Sequence, residues 1–263
     1  MSGSAEERLG ALDAALDAVQ PDAAVAADLF AVVDALDAQP ALRRALTDPS
    51  TPEDARASIA RSLFESRIGA GALELLSAAV RLRWAGGRTF ASALERQAIR
   101  AQLRSVGPAG LEETEDELFR FGRLVESDSD LRAALGDRSV PLTRRQQLVA
   151  DLLSGKANDA TVALARRAVA GRERTFANTL AGYLSLAAAE RSRLLATVRV
   201  ARPLEPGQLE RLQQALSRQA GREISVQVIV DPEVLGGVRV ELGDEVIEGT
   251  VAARLDQARR LFE

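Results

Sequence analysis

Thr197-Val198-Arg199-Val200-Ala201-Arg202-Pro203-Leu204 is where the chain changes its period. Before Arg193 apolar residues recur every three or four positions. From Thr197 they alternate, Val198 and Val200 against Thr197, Arg199 and Ala201. The first spacing is that of a helix with one buried face, the second that of a half-buried strand. Downstream, Pro203 to Pro206 turns the chain, and Leu209, Leu212 and Leu216 mark an amphipathic helix ending at Gly221. Ile224, Val226, Val228 and Val230 alternate again. Gly236-Gly237 reads as a turn, Val238, Val240 and Leu242 as a further strand, and Gly243-Asp244 as a tight turn before Val246-Ile247. A last helix from about Thr250 carries Val251, Leu255 and Leu261. Residues 191–263 thus read as a small α+β domain.

Upstream, residues 5–190 read as helix. Leu9, Leu12, Leu16 and Val19 share one face, as do Val25, Leu29, Val32, Val33 and Leu36. Thr51-Pro52-Glu53-Asp54 reads as a helix start, with Thr as cap, Pro at the first helical position and acids in the first turn. That helix should turn Ile59, Leu63 and Phe64 inward. Further helices are expected over about 71–85 and 89–104, with a break at Gly107-Pro108-Ala109-Gly110. An offset of 89 residues then aligns Asp28-Leu29-Phe30 with Glu117-Leu118-Phe119, and Leu42 to Asp48 with Leu131 to Asp137. Pro52 meets Pro141, Leu63 meets Leu152, and Ala79-Val80 meets Ala168-Val169. After a three-residue slip Arg88-Thr89-Phe90-Ala91 matches Arg174-Thr175-Phe176-Ala177. The period exceeds that of a solenoid repeat. The fold expected is therefore mainly α: tandem helical bundles over 1–87 and 88–190, followed by the small α+β domain.

The 263 residues are 46% hydrophobic and 3% aromatic, with no histidine and no cysteine. An aliphatic core follows, and much chemistry is excluded. There can be no disulfide, thiolate nucleophile, iron–sulfur cluster or His-dependent relay. Carboxylates, Arg, Ser/Thr, one Tyr and Lys156 remain, enough for a carboxylate-held Mg²⁺ or a carboxylate pair. A net charge of −4 argues against broad nucleic-acid binding. The first ten residues, MSGSAEERLG, hold two acids and no apolar segment, unlike a signal peptide. The longest uncharged run, Thr175 to Ala189, is too short and too polar for a membrane span. A soluble protein that meets a membrane only through a partner is expected.

Each motif with a chemical reading also has a plainer one. Glu126-Ser127-Asp128-Ser129-Asp130 spaces acids as a calcium loop does, but Leu131 and Asp137 stand where Gly and Glu are required. A capped loop between helices is the better reading, with a carboxylate-dependent enzyme the alternative it must exclude. Gly155-Lys156 lacks the earlier glycine and following hydroxyl of a phosphate loop. Glu112 to Glu117 reads as the acidic first turns of a helix. Arg81, Arg83 and Arg88 around Trp84 read as a helix end with snorkelling arginines.

The C-terminal third carries a more specific pattern. Val198 to Ala201 leads into Arg202-Pro203-Leu204. After a helix come Val228-Ile229-Val230-Asp231-Pro232 and, shortly, Gly236-Gly237, then Val246-Ile247-Glu248-Gly249-Thr250-Val251. This resembles the delta subunit of bacterial F-type ATP synthases, the counterpart of the mitochondrial oligomycin-sensitivity-conferring protein. Glu248 stands for that family's usual Asp and Thr250 for its usual Ser. The likeness covers about residues 88–263, so 1–87 is an additional bundle, as in the long actinobacterial form. The resemblance implies a non-catalytic stator part without cofactor or metal, peripheral on the cytoplasmic face of the cell membrane. Its helical domain would bind the N-terminal helix of an alpha subunit, and its C-terminal domain the b subunit of the peripheral stalk. On that footing Phe90, Leu94 and Ile99 are candidates for the head contact and Leu255, Leu261 and Phe262 for the stalk contact. Core packing is the other reading of each. A helical-repeat adaptor of another complex is the alternative function.

Overall fold

A computed structural model describes residues 3–171, 173, 175–220, 224–231, 234, 238–242 and 245–248. The chain forms two compact units, Met1–Ala187 and Ala188–Glu263. The helices of the first are α1 (Gly3–Ala18), α2 (Ala23–Ala38), α3 (Pro40–Thr47), α4 (Glu53–Phe64), α5 (Ala70–Arg81), α6 (Gly87–Arg104), α7 (Gly107–Ser127), α8 (Ser129–Gly136), α9 (Leu142–Leu153) and α10 (Asp159–Val169). Next come α11 (Phe176–Leu194), β1 (Leu195–Val200), α12 (Pro206–Ala220), β2 (Ser225–Val230), β3 (Val238–Leu242) and β4 (Glu245–Glu248). This is the mainly α chain with a small mixed C-terminal part that the change of period predicts.

The sequence offset is also an offset of structure. Helices α3, α4, α5 and α6 begin at 40, 53, 70 and 87, and α8, α9, α10 and α11 at 129, 142, 159 and 176, each 89 later. Local hydrogen bonding repeats with it. Asp48 Oδ1 accepts from the N–H and hydroxyl of Ser50, and Asp137 Oδ1 from those of Ser139. In each loop these bonds hold the aspartate below its usual pKa, the serine hydroxyl contributing most. Arg56 donates to the carbonyls of Asp48 and Thr51, and its counterpart Arg145 to those of Leu135 and Val140. Asp28 of α2 accepts from the N–H of Gly69 at the start of α5. At the same rungs Glu117 of α7 accepts from the N–H of Asn158 at the start of α10. A carboxylate facing the first N–H groups of a helix satisfies donors that lack an intrahelical partner.

The core of the first helices is aliphatic, with Leu12, Leu16, Leu29, Val32, Val33, Leu36, Leu75, Leu76 and Leu94 fully buried. In the C-terminal unit β1 pairs with β2 in parallel through α12 and with β3 antiparallel, giving the order β2-β1-β3-β4. Ala196, Val198 and Val200 of β1 point into a small core with Leu216, Ile224 and Val240. The last helix expected from about Thr250, with Val251, Leu255 and Leu261, and the turns expected at Gly236-Gly237 and Gly243-Asp244 lie outside the described residues.

Several local expectations are corrected. Thr51 does not cap α4: Pro52 holds the N-cap place without a side-chain bond, and the loop is organised instead by Asp48 and Arg56. Leu63 is 43% exposed whereas Phe64 is buried, because the helix turns the larger side chain to the core. Residues 82–85 lie past the end of α5. The break falls at Ser105 and Val106 instead, and Gly107, with a left-handed φ of +67°, opens α7, so Gly107 to Gly110 are helical. The acids from Glu112 fall beyond the first turn of α7, where Glu117 serves the neighbouring helix start instead. Val230 ends edge strand β2 and is 48% exposed, since strand order leaves that edge uncovered by the sheet.

Candidate partner-binding surfaces

Helix α6 is the spine of the helical unit. Between Phe90 and Leu103 only Ser92 and Arg96 escape burial. A helix apolar on one stripe is normally wet on the other. Here it packs against α1, α2 and α3 as well as α7 and α10. Its polar side therefore had to be matched by charge. Asp13 of α1 accepts from Arg96 and from Gln97 Nε2 at 2.8 Å, and pairs with the fully buried Arg100, which also donates to Gln97 Oε1 at 3.0 Å. Arg104 and Asp17 form a second pair one turn on.

Burial raises the Asp13 pKa, but the bonds from Arg96 and Gln97 and the charges of Arg100 and Arg96 outweigh it, leaving the carboxyl below its usual value. A depressed folded-state pKa stabilises above the unfolded value of 3.8 and is lost as pH falls through the folded one. Urea midpoints should therefore drop on acidification below about pH 4. An Asp13→Asn variant should show a shallower acid slope than the native chain.

A second ionic knot joins α2, α6 and α10. Arg167 donates from Nε to Glu95 at 2.8 Å and from Nη1 to Asp34 at 2.5 Å, with its guanidinium 4.9 Å from the Phe30 ring centroid. Burial opposes the charge of Arg167, but Glu95 and Asp34 more than restore it and raise its pKa. Trp84 donates from Nε1 to Ala79 O, packs 5.8 Å from Phe90, and carries a cation over its ring. That cation is Arg8 of α1, which no local spacing around Trp84 could have named. Asp128 accepts from the N–H groups of Asp130 and Leu131, so it caps α8 as its spacing predicted.

Phe90 and Leu94 are fully buried and Ile99 is 3% exposed. Leu255, Leu261 and Phe262 lie outside the described residues. Phe90 and Leu94 are thus side chains of the core in this chain by itself, because α6 is covered on both flanks. Ile99 reaches the wall of a groove of about 210 Å³ between α6 and α11, beside Arg96, Tyr183 and Leu186. A second groove, of about 240 Å³, is lined by Phe121 and Leu124 of α7, Leu152 and Leu153 of α9, and Ala157, with Arg120 and Lys156 at its rim. In the earlier copy the rung of Ala157 is Ile68, which packs on the core beside the buried Phe64. The exposed large apolar side chains of the second copy are Phe119, Leu124, Val140 and Leu142. Sequence reasoning missed them, although the equivalence of Phe119 with Phe30 was the available signal.

Two shallow apolar grooves and several exposed helix faces on a body tied by buried ion pairs are the make-up of a helical scaffold protein. The family model of the ATP synthase delta (OSCP) subunit matches residues 88–262. Similar to nearly the whole chain are ATP synthase subunit delta proteins of Nocardioides sp., 42% identical over 99% of this chain and 96% of that one, and of Streptomyces avermitilis, 45% over 98% and 95%. That of Beutenbergia cavernae is 44% identical over 90% of this chain and 88% of its own length. The chain belongs to the ATP synthase delta (OSCP) subunit family and is a non-catalytic, structural subunit of that complex. Among the described residues no helix is long and apolar enough to cross a membrane.

Proposed function

We propose that this chain is the stator link of a proton-translocating F-type ATP synthase, joining the N-terminal helix of an alpha subunit in the catalytic head to the b subunit of the peripheral stalk. The observation that carries the reading is a likeness to ATP synthase delta subunits that runs nearly end to end, at 42–45% identity. On this reading residues 88–190 take the role of the family's N-terminal domain, since the family match begins at residue 88. Residues 1–87 lie ahead of the family match and form the earlier copy together with α6, and residues 191–263 hold the stalk. The protein sits peripherally at the cytoplasmic face of the cell membrane, reaching it only through the complex. Helix grooves that receive amphipathic helices need apolar walls and no reactive side chain. Two separate contacts also raise effective affinity against torque.

The test is reconstitution. Membrane vesicles stripped of this subunit should hydrolyse ATP without acidifying their lumen, and adding the purified chain should restore ATP-driven proton pumping. The chain alone should hydrolyse no ATP, and should bind a peptide of the alpha subunit N-terminus in calorimetry at micromolar concentration. Unrestored pumping together with no binding to alpha or b would sink the proposal.

A further inference from the structure

Helix α6 belongs to both copies at once. Displaced by 89 residues, α1 (3–18) falls at 92–107, across most of α6, and α2 (23–38) falls at 112–127, the C-terminal part of α7. Displaced by the same amount, the start of α6 falls on the start of α11. So α6 is the counterpart both of the helix that opens the first copy and of the helix that closes the second. The packing agrees with both places. As a closing helix α6 lies on α2, as α11 lies on α7, where Phe121 and Phe176 meet edge to face with centroids 5.8 Å apart. As an opening helix it lies on α10, as α1 lies on α5. Its residues divide accordingly. Phe90, Ala91, Leu94, Ala98 and Ala101 belong to the core of the first copy. Ile99 and Leu103 are buried outside that core, and Ile99 faces α11 across a groove. Arg96, Gln97 and Arg100 pair with Asp13 of α1, and Glu95 with Arg167 of α10.

Repeats that stack through an interface can part at it, and a protein opens in units whose boundaries follow such weak joints. A shared helix leaves no joint of that kind. If the first copy opened, α6 would lose the cover over Phe90 and Leu94 and the carboxylate facing Arg100, and α10 would be left on a helix stripped of its other partners. The family match starts at residue 88, the second residue of α6, so its boundary runs through a packed body. Met1–Ala187 is accordingly one compact unit, with no division near residue 87. We propose that α6 couples the two copies into one cooperative unit, so that neither opens without the other and whatever steadies one steadies both. In a load-bearing part this leaves no place to yield between the copies. The coupling goes beyond the stator reading and does not depend on which partner is bound.

Hydrogen exchange of the full chain at neutral pH, followed by mass spectrometry, reads the helices of each copy separately. Leu75 of α5 is fully buried in the core of the first copy. In Leu75→Ala the slowest amides of α2 and α5 should exchange roughly a hundredfold faster, the size expected for truncating a buried leucine. The slowest amides of α9 and α10, whose own side chains are untouched, should accelerate by the same factor to within about threefold, as one shared opening requires. Leu164→Ala, at a fully buried position of α10, should act in the reverse direction on α2 and α5. Where an alanine variant does not fold, valine at the same position carries the comparison with a smaller factor. Acceleration confined to the mutated copy, or weaker in the other copy by more than about threefold, overturns the coupling, since the two copies would then open separately. A chain that binds alpha and b while its copies exchange independently overturns the coupling alone and leaves the stator reading standing.

Discussion

Asp13→Ala should cost the helical unit about 3–5 kcal/mol, read as a fall in the urea midpoint at neutral pH. Arg100 is fully buried, and its charge is met by the Asp13 carboxylate and the Gln97 carbonyl. Removing the carboxylate takes an anionic partner away from a guanidinium in a low-dielectric interior, where an ion pair counts for more than it does in water. Gln97 would also lose the acceptor of its Nε2. Arg96, 27% exposed at its side chain, can turn to water and contributes little to the loss. The loss comes from the broken buried ion pair and not from the volume removed, so adding Arg100→Met to Asp13→Ala should recover much of the stability. A double variant as unstable as the single one would mean that packing of the aspartate, not its charge, holds α1 to α6.

How much of this was legible beforehand depended on whether the deciding contact was local. Periodicity found most helices to within a few residues, because one buried stripe per helix is imposed by the local period of the chain. The change to alternation near Thr197 located β1, and the alternation of Val226 and Val228 located β2, which pairs with it in parallel. The 89-residue offset was visible as matching residues, and it returned as matching hydrogen bonds at Asp48 and Asp137. What local pattern could not show was α6. Glu95, Gln97 and Arg100 make its second face look like one meant for water, and partners far along the chain, Arg167 for Glu95 and Asp13 for Gln97 and Arg100, account for their burial. For the same reason Phe90, Leu94 and Ile99 stood out as a stripe that a partner could use. The exposed Phe119 was hidden by the opposite error: as a phenylalanine on a helix it passes for core, and nothing nearby in sequence says that its face is left open.

Phe90→Ala separates those two kinds of phenylalanine. Phe90 has no exposed surface and packs 5.8 Å from Trp84, which is itself pinned to Ala79 O and capped by Arg8. Truncation there removes a ring from a site whose neighbours are held by hydrogen bonds and cannot collapse into the space. The expected loss is about 3–5 kcal/mol, at the upper end for buried aromatics. Phe90→Leu, which keeps most of the volume, should lose under about 1.5 kcal/mol. If Phe90 were instead a contact for the catalytic head, alanine would leave the urea midpoint unchanged and weaken binding of the alpha peptide. The reverse is expected: at temperatures where the variant stays folded, its affinity should equal that of the native chain. Phe119→Ala, on the open face of α7, should shift the midpoint by no more than about 0.5 kcal/mol. Two phenylalanines of the same helical unit thus give opposite results for one physical reason: water already reaches one ring in the free chain and does not reach the other.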